Sequence, residues 1–156
     1  MLLPNSKFFL AFLISGNCFA QWIPAPPADP VPTPYPGFDT MQIAVNDVRE
    51  LYKLPLLVST IALNCAAEKH AKDMHEARMC QHQGTDNSTF QTRARDCGTE
   101  AQAELIACGF LEAQMAVGRW MRDLRSRNII TSDDNVAIGS AKHGTTWVVV
   151  FRTMAK

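Results

Sequence analysis

The stretch Leu63–Gly84, LNCAAEKHAKDMHEARMCQHQG, decides how the rest of the chain reads. Leu63, Ala66, Ala67, His70, Ala71, Met74 and Ala77 recur at helical spacing and line one stripe of a helix. The stripe is rich in alanine, so another element can approach it closely. Past Cys80 the chain leaves the helix and presents His82 just before Gly84, where a backbone turn is cheap. A helix that delivers an imidazole to a turn places a polar group at a cleft rim. His82 is therefore the first candidate site residue.

Working outward, Ser59 or Thr60 is the expected cap of that helix. Upstream, Met41, Ala44, Val45, Val48, Leu51 and Tyr52 form the apolar stripe of an earlier helix. Asp39 and Thr40 are its expected caps, with Gln42 in a capping box. Pro55 stops it, and Leu56-Leu57-Val58 reads as a short extended link. Downstream, residues 84–100 are polar and turn-rich, with a short helical turn around Phe90–Arg95. Glu104–Cys108 reads as a strand ended by Gly109. Leu111–Leu124 reads as a third amphipathic helix, with Ala113, Ala116, Val117, Trp120, Met121 and Leu124 on one face. Two strands follow, Asn135–Ala141 and Thr145–Thr153, around a turn at Lys142-His143-Gly144. The run Trp147–Phe151 is apolar on both faces and so belongs in the middle of a covered sheet. Helices before, between and beside three short strands predict an α+β fold over residues 39–156. Its expected form is a three-layer α-β-α sandwich around a small, mainly antiparallel sheet.

The 156 residues, 47% of them hydrophobic, suffice for one core of ordinary size. A formal charge of zero leaves no electrostatic footprint for nucleic acid, and the arginines form no polybasic patch for acidic lipid. Lys7 precedes the apolar run Phe8–Ser15, and Cys18-Phe19-Ala20 offers small residues where a signal peptidase reads. The run is about half the length of a membrane-spanning helix. Residues 1–20 are accordingly read as a signal peptide, which makes the protein secreted or periplasmic and not integral to a membrane once cleaved. A lipoprotein signal acylated at Cys18, a retained anchor and a cytosolic chain are the alternatives. Residues 21–38 carry seven of the nine prolines and read as an extended tether; a Pro-rich docking motif is the alternative reading. Without Cys18 four cysteines remain, an even number that favours two disulfides in an oxidising compartment. Cys65 and Cys80 would lie about 22 Å apart on one continuous helix, beyond a disulfide's reach. The preferred pairing is Cys80–Cys97 with Cys65–Cys108.

From Gln42 to Arg152 the chain resembles the CAP superfamily (cysteine-rich secretory proteins, antigen 5, pathogenesis-related 1), in its bacterial-type SCP form. Asn46–Leu57 is similar to the family's first helix and Leu-Pro-Leu exit. Leu63, Ala66, Ala67, His70, Ala71 and Met74 match its second helix, and His82-Gln83-Gly84 matches its His-x-Gly turn. Ala103–Ala107 corresponds to its Gly-Glu-Asn-Ile-Ala strand. Trp120-Met121, Asn128-Ile129-Ile130 and Val136–Gly139 follow in the family's order. The resemblance implies a sandwich fold and binding of lipids, sterols or protein partners. It also implies a cavity of two histidines and two glutamates that holds a divalent metal in some members. Only His82 and Glu104 carry over. Arg125 or Ser126 stands where the second histidine falls, the second glutamate has no match beyond Glu112 at a helix start, and Gly-Glu-Asn has become Ala-Glu-Leu. No cofactor is therefore expected, with His82 the single weak candidate for a metal.

The expected cavity lining is His82, Glu104 and Arg125. A carboxylate beside His82 orients the imidazole and raises its basicity, so the pair suits proton transfer as well as a buried structural bond. Ser88 and Thr89 are the nearby hydroxyls. A guanidinium from Arg125 facing Glu104 would turn the family's metal site into an ion pair; the alternative has Arg125 in solvent. His70, on the apolar stripe, reads as a satisfied core histidine. His75 lies about 140° around the helix from it, so the two cannot share one metal. His75, Cys80 and His82 are a conceivable zinc set, but disulfides are the better use of Cys80. His143, in a hairpin turn, reads as solvated. The function these residues predict is a binding module for lipid or protein partners, with a hydrolase using His82 and Glu104, or a metal-dependent protein, as alternatives.

Overall fold

The structure, a computed structural model, describes residues 38–154. The expected leader (1–20) and all but the last residue of the expected tether (21–38) lie outside them. In chain order the elements are α1 (Phe38–Leu51), β1 (Val58–Ser59), α2 (Ile61–Ala77), α3 (Phe90–Asp96), β2 (Ala103–Cys108), α4 (Ala113–Arg122), α5 (Leu124–Ile130), β3 (Asn135–His143) and β4 (Thr146–Thr153).

Alternation along β4 builds the layers. Trp147, Val149 and Phe151 face a core with Met41 and Val45 of α1, Val117 and Trp120 of α4, and Ile130 of α5. Val148 and Val150 face a second core with Leu63, Ala67 and Met74 of α2 and Ala94 of α3. A strand of β-branched residues between two helical layers is buried on both faces, as its sequence requires. The sheet order is β1-β3-β4-β2, with β3-β4 and β4-β2 antiparallel. The alanine stripe of α2 does what its composition suggests. At Gly139 of β3 even a methyl group would collide with the backbone and Cβ of Leu63, so helix and strand meet at backbone distance.

Several expectations are corrected. The sheet has four strands among the described residues, not three, because the link after Pro55 ends in β1, parallel to β3 through Val58 and Ala137. The expected helix Leu111–Leu124 stops at Arg122. Asp123 is extended and its side chain accepts from the N–H of Ser126, starting α5. Leu124 consequently points outward, as do Leu51 and Tyr52 beyond the buried part of α1. Helix α1 begins at Phe38, which puts Thr40 inside its first turn, and the Gln42 amide donates to the Leu57 carbonyl instead of closing a capping box. Thr60 does cap α2, accepting from Leu63 N–H.

The disulfides are Cys65–Cys97 and Cys80–Cys108, one of the two connectivities left once Cys65–Cys80 is excluded, and not the preferred one. The preferred pairing was overturned by α3. That helix packs back on α2, so its C-cap Cys97 arrives beside Cys65, while Cys80 leaves α2 toward the end of β2.

Candidate functional site

Helix α2 ends at Arg78, whose left-handed backbone (φ 53°) turns the chain toward the sheet. The disulfide from Cys80 to Cys108 then pins this exit to β2, and His82 stands two residues on. On β2, Glu104 points its side chain to the same place and is buried. The His82 Nδ1 lies 2.9 Å from Glu104 Oε1. Since a carboxylate only accepts, Nδ1 carries the hydrogen and Nε2 presents its lone pair outward when the ring is neutral. The His82 side chain is 60% exposed, so that nitrogen is accessible.

The second oxygen of Glu104 is taken by a residue that sequence reasoning passed over. Arg93, buried on α3, donates to Glu104 Oε2 at 2.7 Å. The same guanidinium donates to the His82 carbonyl at 3.2 Å and to the Ser88 carbonyl and hydroxyl at 3.0 and 3.1 Å. Of the two readings of Arg125, the structure has the second: Arg125 is exposed, and the guanidinium that pairs with Glu104 is that of Arg93. Arg125 lines the same groove but makes no ion pair with Glu104. No spacing distinguishes Arg93 from Arg95; only the docking of α3 does.

Under the pair lies His70, fully buried. Its Nε2 donates to the Gln81 carbonyl at 2.9 Å and is 3.9 Å from Glu104 Oε1. Its Nδ1 has no partner among the described residues. Burial disfavours the imidazolium and pulls the pKa of His70 below the ordinary histidine value, against the opposing pull of Glu104. The unfolded chain takes up this proton near pH 6.5, while the folded one resists it. Stability from this group is therefore complete above that pH and is lost as pH falls below it. Urea midpoints measured from pH 7.5 down to 5 should drop, and His70→Gln should flatten the drop. An equal drop in the variant would sink this assignment.

The other candidates disperse. Ser88 serves Arg93, and Thr89 caps α3 by accepting from Thr92 N–H, so neither hydroxyl attends His82. His143 is not simply solvated: its Nε2 is 2.6 Å from Glu68 Oε1, and its ring is 6.2 Å from that of His75. Cys80 is oxidised, which removes the zinc set with His75 and His82.

Around His82 runs a groove along β2. One lobe, about 420 Å³, is lined by His82, Glu104, Leu105, Asp123, Arg125 and Ser126, among others. The other, about 380 Å³, shares His82, Leu105, Asp123 and Ser126 and continues to Cys108, Arg119 and Trp120. The groove's second carboxylate is thus Asp123, at the α4–α5 break. Hydrogen bonds from the Ser126 N–H and hydroxyl hold its carboxyl below the usual range. The spacing Asp123-x-x-Ser126 is a capping signal that would have revealed it. These donors do not suit a divalent metal. Glu104 is spent on Arg93 and His82, Asp123 on Ser126, and no cluster of three ligating side chains occurs among the described residues.

A model of the cysteine-rich secretory protein family, CAP, matches residues 42–151. No curated protein matches. Among solved structures the fold is similar to an extracellular protein containing an SCP domain from Bacillus anthracis (TM-score 0.71, 19% identity). That match covers 75% of this chain and 40% of the other, so this chain spans well under half of that protein. An outer surface protein from Borrelia burgdorferi is similar at TM-score 0.67 and 19% identity, over 75% of this chain and 92% of that one. A cysteine-rich secretory protein from Staphylococcus aureus follows at 0.60 and 15%, covering 78% and 40%.

Proposed function

The chain belongs to the cysteine-rich secretory protein (CAP) family, and from that premise we propose that it is an exported, non-enzymatic binding module. Its partner, a lipid, a sterol or a protein, is taken in the groove beside His82 and Glu104. The observation that carries this reading is the state of Glu104, whose two oxygens are both engaged, by His82 and by Arg93. A carboxylate so held orients a groove wall, with a donor of this chain already on each of its oxygens. Export is supported by the two disulfides, by the signal-like N-terminus, and by neighbours described as extracellular or outer surface proteins. No helix among the described residues is long and apolar enough to cross a membrane. One observation favours a hydrolase as the second reading: His82 Nε2 faces the groove with Nδ1 anchored on a carboxylate.

The test is a titration of ¹⁵N-labelled full chain with cholesterol sulfate, a water-dispersible sterol, and with decanoate, each with and without zinc. Shifts confined to residues 82, 103–108 and 119–126, unchanged by zinc, are expected for at least one probe. A rise in stability with zinc of the kind given by saturating ligand, about 2.7 kcal/mol at a hundredfold excess over Kd, would overturn the metal-free reading. Shifts elsewhere on the surface would overturn the groove.

A further inference from the structure

The groove floor is a sheet edge. Strand β2 lies outermost, hydrogen-bonded on one side to β4. Its register pairs Leu105 with Val149 and Ala107 with Trp147, and Gly109 N–H continues the series by donating to the Thr145 carbonyl at 3.0 Å. In an antiparallel ladder the residues that exchange bonds with the neighbour alternate with those whose peptide groups point away. Residues 103, 105, 107 and 109 therefore serve β4, and the peptide groups of Glu104, Ile106 and Cys108 face the groove. The indole of Trp120 bears this out, donating to the Ile106 carbonyl from the groove side at 2.9 Å. It is the single partner of these outward groups among the described residues, and it closes the edge to further pairing at that carbonyl. Ahead of it, Glu104 N–H, Glu104 C=O and Ile106 N–H form a row of donor, acceptor and donor.

The walls add a sign. Arg125 lines one lobe and Arg119 the other, and neither is within ion-pair distance of a carboxylate among the described residues. Asp123, kept ionised by the Ser126 donors and by the nearby charges of Arg119 and Arg125, offsets one of the two guanidiniums. The charge of Glu104 is met by Arg93, so the rim keeps one positive charge in excess. The groove thus offers backbone hydrogen bonds along its floor and spare positive charge on its rim.

We propose that the partner is an extended, acidic peptide segment of another protein, added as a strand to the outer edge of β2 at Glu104 and Ile106, with a carboxylate side chain against Arg125 or Arg119. This rests on the reading of the groove as the binding site and names its occupant. A lipid chain would use neither the row of peptide groups nor the two guanidiniums together.

The probe is a phage-displayed octapeptide library panned on the full chain. The strongest binder is then synthesised in two forms, N-methylated at alternate amides in the two opposite registers. One form should lose roughly tenfold or more in affinity and the other should bind as the parent peptide does, since only alternate amides face β2. Amide exchange at Glu104 and Ile106 should slow when the parent peptide binds. Arg125→Glu should weaken binding roughly tenfold with no change in the thermal midpoint. A library that yields no binder, or two N-methylated forms equally affected, overturns the strand. If cholesterol sulfate or decanoate still shifts the groove, the binding site stands without it; if these also miss residues 103–108, both readings fall.

Discussion

Replacing Arg93 by methionine is expected to cost about 3–5 kcal/mol, the loss typical of a buried ion pair stripped of one member. Arg93 and Glu104 are both buried, 2.7 Å apart, and among the described residues the only other donor on that carboxylate is His82. Without the guanidinium, a carboxylate stays in a place where water cannot replace what was removed. The carbonyls of His82 and Ser88 lose a donor as well. For a domain of this size the thermal midpoint should fall by about 4 °C for each kcal/mol. Glu104→Ala alone should cost a similar amount, because the buried guanidinium keeps its neutral acceptors on His82 and Ser88 but loses its counter-charge. The double variant Arg93→Met with Glu104→Leu should recover most of either loss, because an apolar pair removes both desolvation costs. Urea unfolding of the three variants beside the parent decides the matter. Single losses under about 1 kcal/mol would show that the pair is solvated in practice.

Arg49→Met should be comparably severe, for a different reason. Arg49 is fully buried and pairs with no carboxylate among the described residues. It donates instead to three carbonyls: Pro55 from Nε at 2.8 Å, and Ile130 and Ser132 from Nη1 at 2.8 and 2.7 Å. Burial lowers its pKa, opposed by the nearby charge of Asp133, yet a guanidinium keeps its proton at any ordinary pH. The negative end of α5 and the link after α1 are thus tied to one side chain. Each charge-assisted bond contributes about 1.5–3 kcal/mol, offset by the cost of burying the charge, so a net loss of about 3–5 kcal/mol is expected. Arg49→Lys separates charge from geometry. One ammonium does not reproduce the fork, so the lysine variant should unfold nearly as easily as the methionine one. Full rescue by lysine would show that charge alone matters.

Much of this architecture was legible from residue patterns. The alanine stripe of α2, the apolar run of β4 and the turn at Gly144 each imply a local structure that tertiary packing preserves. The pair of His82 and Glu104 was legible because both lie in motifs of the CAP resemblance. Other features depend on contacts between distant segments. Strand β1 has two residues and exists because β3 lies beside it. The disulfide pairing follows from where α3 docks, and so does the choice of Arg93 over Arg125 as the partner of Glu104. Asp123 was obscured by the helical periodicity that runs through it, although its cap with Ser126 was there to read.

The Cys80–Cys108 bond closes residues 80–108 into a covalent ring, with His82 two residues inside one end and Glu104 four inside the other. The second bond ties Cys97, within the ring, to Cys65 on α2. If exported as proposed, the chain meets proteases, and the exposed turn at Thr85-Asp86-Asn87 is where one would cut. A cut there opens the ring into two arms that remain joined at Cys80–Cys108, next to the groove. The severed arms cannot diffuse apart, and the histidine and its carboxylate stay close enough to find each other again. The groove wall is built to outlast the nicking of the loop beside it.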